Sequence, residues 1–412
     1  MKKSLKIVLV AVGVIIVAGL LLLVFKGNIA RHYFDQGSTA LEANDYEAAA
    51  GYFEKSITWN SASPSTWVML GRAEAGKGNT EQALNNYQQA VSLGDSLPEA
   101  HYYSGLAYLD QDKYETALQE FNTAVTMDST YAAAYFQRGI TKANLGDLEG
   151  SVADYQLSLQ YNKNNIEAYQ QSVDAKEQLA DFAGAIRDYD KIIELSPNNL
   201  EAFKQRGFFK MELKDYKGAI QDFDRAIALN NNDAMSYYHR AVSYSNLHDF
   251  DKALTDYSAA IKNDSKLDKA FYNRALVYLN TQQYDKAIVD LKSSISIKPT
   301  AKAYNLLGTA RAIKGDYKGS ISEFASALKM DSTLDEAWYS KGVSEGMLGN
   351  HKNAIVDYNK AIELKKNYAE AYYNRGISKV NLYGSNSGCT DFRKALELKY
   401  QPAQKMINMY CR

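Results

Sequence analysis

The sequence predicts an all-α protein in which one apolar N-terminal helix precedes a long stack of helical hairpins. Three observations lead to this prediction: small and aromatic residues recur at a constant interval, only five prolines occur in 412 residues, and an uncharged apolar run lies near the N-terminus. Proline breaks helix interiors, so its scarcity favours long helices over loop-rich folds. The hydrophobic content of 46% is sufficient for a large core, and the net charge of −1 offers no basic face for nucleic acid.

Residues 7–25 are nineteen consecutive residues without a charged or strongly polar side chain. At about 1.5 Å per residue, a helix of this length reaches roughly 28 Å, close to the hydrocarbon thickness of a bilayer. We therefore predict a transmembrane helix over residues 7–25, preceded by the short segment 1–6 and followed by a linker at 26–29. A cleaved signal peptide is the alternative, although its apolar part usually has only about 7–15 residues.

The charges that flank the apolar run predict its orientation. Three lysines precede the run, whereas Lys26 and Arg31 follow it closely. Because cytoplasmic flanks carry the excess of positive charge, this asymmetry places residues 1–6 in the cytoplasm. The rest of the chain would then lie on the far side of the membrane, in the periplasm if the membrane is a bacterial inner membrane.

The remainder of the chain is organised around a small residue that recurs eleven times. Successive positions are evenly spaced, except for a single step that is one residue shorter. An aromatic ring lies four residues before this position in ten of the eleven copies, as Trp67 lies before Gly71. A small residue and usually a second ring follow at fixed offsets, as Ala83 and Tyr87 do. The positions are Gly37, Gly71, Gly105, Gly139, Val173, Gly207, Ala241, Ala275, Gly308, Gly342 and Gly376.

Each copy contains two predicted helices. In the first half, apolar residues follow the i, i+3, i+4, i+7 spacing of an amphipathic helix, as Tyr237, Ala241 and Tyr244 do. Glycine followed by Asp or Asn, as at Gly146-Asp147, then predicts a helix end and the N-cap of a second helix. Small residues let the two helices approach closely while the rings fill the remaining gap. One hairpin cannot bury its apolar face alone, so the copies must stack.

This pattern resembles the tetratricopeptide repeat family over residues 30–402. The resemblance implies a right-handed superhelical α-solenoid of about eleven helix-turn-helix repeats, closed by a C-terminal capping helix at residues 403–412. The fifth repeat departs from the pattern at Val173 and Ile192. We interpret the departure as a compensated repacking or, alternatively, as a joint where the superhelix curvature changes. The predicted repeats are 30–63, 64–97, 98–131, 132–165, 166–199, 200–233, 234–267, 268–300, 301–334, 335–368 and 369–402.

The repeats and the apolar segment occupy almost the whole chain, which leaves no room for a catalytic domain. We therefore predict that the protein is not an enzyme and has no catalytic, cofactor or metal site. The stretch from Gly71 to Gly78 resembles a phosphate-binding loop, but it lacks the final Ser or Thr and follows no strand. The five histidines fall at different repeat positions and show no metal-ligand spacing.

The sequence contains two cysteines, Cys389 and Cys411. If the chain turns near Tyr400, the two residues lie side by side on antiparallel helices, and a disulfide that clamps the C-terminal end is feasible. Two free thiols that serve as small core residues are the alternative. An oxidised pair would favour the extracytoplasmic orientation, because disulfides persist in oxidising compartments.

The family resemblance implies that the first helices line a concave groove in which a partner peptide lies. By position, the residues two before and five after each small residue should point into this groove. The first set is Gln137, Gln171, Gln205, His239, Asn273 and Asn374, and the second is Asn144, Gln178, Asn246, Asn280 and Asn381. The aromatic rings three residues before each small residue could add apolar pockets to the groove: Tyr102, Phe136, Tyr238, Tyr272, Tyr339 and Tyr373. Amides both donate and accept, so they suit an extended peptide backbone. Alternatively, the amides are solvated and the rings pack between repeats.

The leading hypothesis is a non-catalytic, membrane-anchored scaffold that binds a protein or peptide partner in its groove. An architectural, self-associating tether in a cell-envelope complex is the second hypothesis, and a secreted repeat protein with a cleaved signal is a third. Co-chaperones that resemble this family bind a terminal carboxylate with a lysine and an asparagine. Lys204 stands at the position of the lysine, but Phe208 stands where the asparagine would be. A carboxylate-binding site of this kind is therefore disfavoured.

Overall fold

The structure, a computed structural model, describes residues 2–94 and 97–411. Met1, residues 95 and 96 of the second predicted repeat, and Arg412 of the predicted cap lie outside the described residues. The described part of the chain forms 23 helices and no strand, which confirms the all-α class. It divides into two compact units, the first ending at Asn199 and the second beginning at Leu200.

The first unit consists of five helical hairpins. Each helix packs against the next along the chain, and the first helices of neighbouring hairpins also touch one another. Consecutive second helices show no comparable contact in the described part of this unit. The first helices therefore form the more closely spaced layer. Its helices are α1 (Lys2–Glu42), α2 (Tyr46–Trp59), α3 (Pro64–Gly76), α4 (Thr80–Ser92), α5 (Pro98–Leu109), α6 (Tyr114–Met127), α7 (Ala132–Asn144), α8 (Leu148–Tyr161), α9 (Ile166–Gln178) and α10 (Phe182–Leu195).

The second unit repeats this arrangement in six hairpins and closes with a short helix. Its helices are α11 (Leu200–Glu212), α12 (Tyr216–Leu229), α13 (Ala234–Asn246), α14 (Phe250–Asn263), α15 (Asp268–Asn280), α16 (Tyr284–Ile297), α17 (Ala301–Ile313), α18 (Tyr317–Met330), α19 (Asp335–Met347), α20 (His351–Leu364), α21 (Ala369–Tyr383), α22 (Cys389–Glu397) and α23 (Pro402–Tyr410). The closing helix α23 begins at Pro402, one residue before the predicted cap, because proline is well suited to the first turn of a helix.

α1 is one continuous helix of 41 residues that contains both the apolar run and the first helix of the first repeat. It passes through residues 26–29, which the sequence analysis assigned to a linker. Neither proline nor a crowded side chain interrupts it there, and Gly27 has open space around it. Within the described residues one helix, Ala11–Glu42 of α1, is long and apolar enough to cross a membrane, and none of its apolar window is buried.

The two helices of a hairpin touch at the recurrent small residue. There it contacts the aromatic ring that follows at a fixed spacing, on the second helix. A Cβ atom added to Gly71 would clash with the Tyr87 ring, and one added to Gly105 would lie 2.6 Å from the Phe121 ring. Both rings are almost completely buried. The close approach that the glycine pattern predicted is therefore present, and these rings form the core of each hairpin.

The turn between the two helices of a hairpin contains a residue in the left-handed conformation. Gly146 has φ of +83°, and Asp147 after it accepts a hydrogen bond of 2.9 Å from Gly150 N–H. Asp316 caps α18 in the same way. Where no glycine is present, residues such as Lys214 adopt the same left-handed φ. The predicted sequence of a C′ glycine followed by an N-cap aspartate is confirmed in these turns.

Asn79 and Asn350 stand at the same N-cap position but do not cap with their side chains. Their Nδ2 atoms donate instead to Glu74 at 2.7 Å and Glu345 at 2.8 Å, whose carboxylates are buried in the preceding first helix. An asparagine has donor protons that aspartate lacks, and a buried carboxylate is the stronger acceptor. Asn79 and Asn350 therefore occupy the predicted N-cap position, but their side chains do not make the capping hydrogen bond expected there.

The fifth repeat buries the larger side chains that depart from the pattern. Val173 is 1% exposed and Ile192 is fully buried, so the local packing has accommodated both. The first unit ends at Asn199, at the end of this repeat.

The C-terminal end is closed by a disulfide. Cys389 at the start of α22 is bonded to Cys411 after α23, with 5.5 Å between their Cα atoms. α22 begins only after a turn from Gly384 to Gly388, in agreement with the poor helix start expected there. The bond joins the two ends of the last helical pair.

Candidate functional site

The eleven predicted groove residues all lie on first helices, and their exposure divides them into two groups. The residues two before the small position are half-buried in every case, whereas those five after it are exposed near the ends of their helices. Gln137, Asn144, Gln171 and Gln178 belong to the first unit, and the other seven belong to the second.

Three of the five exposed amides bond to their own helices. Asn246 Nδ2 donates to the carbonyl oxygen of Val242 at 2.9 Å, and Asn144 Nδ2 donates to that of Ile140 at 3.0 Å. Gln178 donates to Asp174 in the same way at 3.4 Å. Each of these contacts uses one of the two amide N–H donors, so the second N–H and the oxygen remain able to bond to a ligand.

Two of the three half-buried amides of the second unit join neighbouring repeats, whereas Gln205 donates to Glu201 of its own helix. Asn273 Nδ2 donates to Tyr238 Oη at 3.0 Å, and Asn374 Nδ2 donates to Tyr339 Oη at 2.9 Å. In each pair the tyrosine lies on the preceding first helix. Such a bond fixes the spacing of successive first helices along the predicted groove.

The predicted pocket rings make mainly packing contacts. Tyr102 lies 5.1 Å from Tyr131, and Tyr339 lies 4.9 Å from Tyr368, measured between ring centroids. In both pairs, as in Tyr373 with Tyr400, the second ring belongs to the segment that precedes the next helix. Phe136 is buried, whereas Tyr238 and Tyr272 are half-buried. These contacts agree with the alternative in which the rings pack between repeats.

His239, which takes the place of an amide, is an aromatic packing residue. Its ring stacks on Phe223 at 5.7 Å and meets Phe208 and Tyr238 edge to face. Burial, and then the positive charge of Lys204 and Lys269, lowers the pKa of His239 to about 4. The imidazole is therefore neutral at pH 7.

Three of the predicted amides meet at one cavity of the second unit, which we call the amide cavity. It has a volume of about 260 Å³ and lies between α13, α14 and α15. Asn246 and Asn280 occupy equivalent positions of successive first helices, and Asn273 lies seven residues before Asn280 on α15. The complete lining is Val242, Ser245, Asn246, His248, Phe250, Tyr257, Asn273, Leu276, Val277 and Asn280.

The amide cavity has a mainly apolar surface and contains no carboxylate, ammonium or guanidinium group in its described lining. Tyr257 is buried beneath it, and burial raises the pKa of this phenol to about 12. The Tyr257 hydroxyl lies 3.4 Å from Ser245 Oγ. The cavity therefore presents a few neutral hydrogen-bonding groups on a mainly apolar surface.

The first unit has a cavity at the equivalent place in its repeats, which we call the arginine cavity. It measures about 290 Å³, and Arg72, Tyr103 and Asp110 take the places of Val242, Asn273 and Asn280. The Arg72 guanidinium lies 4.8 Å from the centre of the Tyr103 ring and pairs with no carboxylate among the described residues. The same location in the fold thus carries a charged lining in one unit and a neutral lining in the other.

Sequence reasoning missed a set of buried ion pairs that hold the hairpins together. An arginine directly before the small residue donates to both carboxylate oxygens of an aspartate on the second helix, as Arg240 does to Asp256 at 2.7 and 2.8 Å. The tenth repeat replaces the arginine with Lys341, which bonds to Asp357. The pairs are Arg138–Asp154, Arg206–Asp222, Arg240–Asp256, Arg274–Asp290 and Arg375–Asp391.

The remaining arginine nitrogen reaches the preceding hairpin. Nη1 of Arg138 donates to Asn122 at 2.9 Å, and Nη1 of Arg375 donates to Asn359 at 2.7 Å. Each such arginine therefore joins three helices. These residues stabilise the array and leave the groove free. Their constant offset within the repeat period was a signal from which they could have been found.

The repeats resemble several solved structures at low identity. The protein YrrB, described as a TPR protein with an unusual peptide-binding site, is 22% identical over 45% of this chain and 94% of its own, with a TM-score of 0.42. Yeast Tom70 is 14% identical over 93% of this chain and 96% of its own, with a TM-score of 0.38. A tetratricopeptide repeat protein from Parabacteroides merdae is 20% identical over 64% of this chain and its whole length, with a TM-score of 0.41.

A search of curated proteins gave no significant match. Sequence profiles of the tetratricopeptide repeat match residues 30–63, 68–132, 132–165, 166–199 and 238–301, and a TPR repeat profile matches residues 347–382. Together these matches cover more than half of the chain. They coincide with helical hairpins whose small residues and rings make the expected contacts. The chain belongs to the tetratricopeptide repeat family.

Proposed function

We propose that this protein is a non-catalytic scaffold whose second unit binds an extended peptide segment of a partner protein. Tetratricopeptide repeat proteins generally act as scaffolds for protein–protein interaction. The observation that carries the finer proposal is the amide cavity, where Asn246, Asn273 and Asn280 of successive first helices meet.

The amide groups suit a peptide backbone better than a particular side chain. Asn246 uses one N–H on the Val242 carbonyl and keeps its second N–H and its oxygen for a ligand, while Asn280 bonds to none of the described residues and offers both donors and the acceptor. Packed helices lie about 8–10 Å apart, and an extended chain advances about 3.3 Å per residue. One amide would therefore meet the peptide backbone about every third residue, without a strong sequence requirement.

We also propose that α1 anchors the scaffold in a membrane, with its N-terminus cytoplasmic and the repeats on the far side. Ile15, Leu21 and Leu23 are 65–70% exposed, and the large apolar residues around them on this helix are 47–62% exposed. An apolar surface of this size is unfavourable in water and matches the interior of a bilayer. A cleaved signal sequence would have the same composition, so the anchor needs its own test.

The peptide proposal can be tested with the full chain in detergent. Extended peptides would first be selected from a random library, and their Kd would then be measured for Asn246→Ala/Asn280→Ala. Loss of two hydrogen bonds of about 0.5–1.5 kcal/mol each predicts roughly 5- to 150-fold weaker binding. The matched control is Gln221→Ala, an exposed amide on the second helix α12.

Equal affinity of the wild type and the double variant would overturn the groove assignment. If the chain selected no peptide and instead formed concentration-dependent oligomers in sedimentation, the architectural tether would be the better account.

The anchor is tested by intact mass and by extraction of cell membranes at alkaline pH. A full-length chain that stays with the membrane is the expected result. A soluble chain that lacks the apolar run would identify a cleaved signal.

A further inference from the structure

We propose that the turn between α2 and α3 docks on the lipid headgroup layer, so that the first hairpin lies against the membrane instead of standing away from it. This inference rests on the proposed anchoring of α1. It adds a second membrane contact, made by the repeats themselves.

The first step is the position of this turn along α1. α2 runs back along α1, and Ser56 Oγ donates to the carbonyl oxygen of Ala30 at 2.8 Å. Beyond this bond α2 continues to Trp59. A cavity of about 210 Å³ is then lined both by residues 27–34 of α1 and by Asn60, Ser63 and Ser65. The turn therefore lies beside Gly27.

The second step is the distance from the bilayer. Phe25 is the last residue of the apolar run, and Gly27 follows only two residues, or about 3 Å, later along the helix. The headgroup region adds roughly 5–7 Å to each side of a hydrocarbon core of about 30 Å. A turn at the level of Gly27 thus lies within the headgroup layer when residues 7–25 span the core. The continuous helix leaves no flexible segment that could move it away.

The third step is the chemistry of the turn. Trp59 ends α2 with 40% of its surface exposed, and tryptophan is enriched at the membrane–water interface. Lys26 and Arg31 are exposed on the neighbouring face of α1, where cations gain about 1 kcal/mol each from anionic lipids. Glu54 is an exposed acidic residue of α2. It precedes Asn60 by six residues and therefore lies roughly 9 Å farther from the bilayer.

Exposed apolar side chains also end other second helices, so exposure of Trp59 alone would not identify a lipid contact. Met127 and Met330 are 43% and 52% exposed at the equivalent position. What distinguishes Trp59 is its place beside the end of the apolar span together with the two exposed cations. These three features together favour a phospholipid surface over a protein partner.

The test uses the full chain in vesicles of phosphatidylglycerol and phosphatidylethanolamine. Trp67→Phe/Trp338→Phe leaves Trp59 as the sole tryptophan, and lipids brominated at shallow or deep positions report its depth. We expect strong loss of Trp59 emission with shallow bromine and less with deep bromine. The control carries Trp59→Phe, Trp67→Phe, Trp338→Phe and Glu42→Trp; Glu42 is exposed at the end of α1, roughly 22 Å beyond Gly27, so its emission should stay unchanged.

Unquenched Trp59 emission in a chain that floats with the vesicles would overturn the docking proposal and leave the anchor intact. A chain that does not float at all would overturn the anchor and with it the docking contact. If Trp67→Phe disturbs folding, as judged by the helical spectrum, Trp59→Phe in the otherwise native chain replaces it. That variant should then lose part of the wild-type quenching, and no loss would contradict the proposal.

Discussion

Arg240 and Asp256 form a two-point ion pair across the α13–α14 hairpin, with N–O distances of 2.7 and 2.8 Å. The third guanidinium contact reaches Asp224 of the preceding repeat. Although burial opposes it, hydrogen bonding to Asp256 and Asp224 raises the pKa of Arg240, so the guanidinium stays charged. The Asp256 side chain is only 6% exposed.

Arg240→Ala should destabilise the second unit by about 3–5 kcal/mol, because it leaves the Asp256 carboxylate buried without its partner. The measurement is urea denaturation followed by the helical circular dichroism signal. Lys252→Ala is the control, since its pair with Asp249 is solvent-exposed and should contribute at most about 1 kcal/mol. An equal loss of stability in the two variants would show that the buried pair contributes no more than the exposed one.

Gly105→Ala should destabilise its hairpin by about 1–3 kcal/mol, because the new Cβ meets the buried Phe121 ring and a packed core resists added volume. Gly51→Ala is the matched control: it lies inside α2 with no atom within 4 Å of an added Cβ. Alanine there should stabilise the helix by about 0.5–1 kcal/mol. Hydrogen exchange measured separately in α2 and in α5–α6 distinguishes the two effects. A Gly105→Ala variant with unchanged stability would contradict the close approach of the two helices.

The second unit should lose stability on mild acidification through His239. Its pKa is lowered from 6.5 to about 4 in the folded chain, so below pH 6.5 the unfolded chain takes up a proton that the folded chain refuses. The loss grows as the pH falls from 6.5 to 4 and levels off below, reaching about 3 kcal/mol. His239→Phe keeps an aromatic ring and removes this part of the acid sensitivity. Identical pH profiles for the two proteins would refute the assignment.

Reduction of the Cys389–Cys411 bond should loosen the C-terminal end. The two cysteines are 22 residues apart, and closing a loop of this length in the unfolded chain is associated with about 3 kcal/mol. Hydrogen exchange should therefore rise in α22 and α23 while α11–α13 stay unchanged. Cys389→Ser should behave like the reduced wild type, and a reductant should not change it further. Unchanged protection in α22 would show that packing alone holds the cap.

Much of the fold follows from residues that act locally. The repeat period places the helices, and the contact of Gly71 with Tyr87 follows from the need for close approach within one hairpin. The same period could have yielded the Arg240–Asp256 pair, because both residues recur at fixed offsets. Its meaning was missed since charged residues on a helix usually face solvent.

The candidate site was only partly predictable. The offsets placed Asn246, Asn273 and Asn280 on first helices, and all three line one cavity. The bond from Asn273 to Tyr238 depends on how successive hairpins are rotated against each other, which no local pattern specifies. Likewise, the difference between Arg72 and Val242 at equivalent cavity positions becomes meaningful only once both are seen to line a cavity.

Under the proposed anchoring, the uninterrupted α1 would restrict which proteins the first unit can meet. A flexible linker would let the repeats explore a wide volume, whereas a helix embedded at one end confines the first hairpin to a thin layer beside the bilayer. Partners resident in the same membrane share this layer and are met at a raised effective concentration. Partners in solution gain no such advantage. The volume that the first unit can reach, as well as the chemistry of its contacts, would then determine which partner it binds.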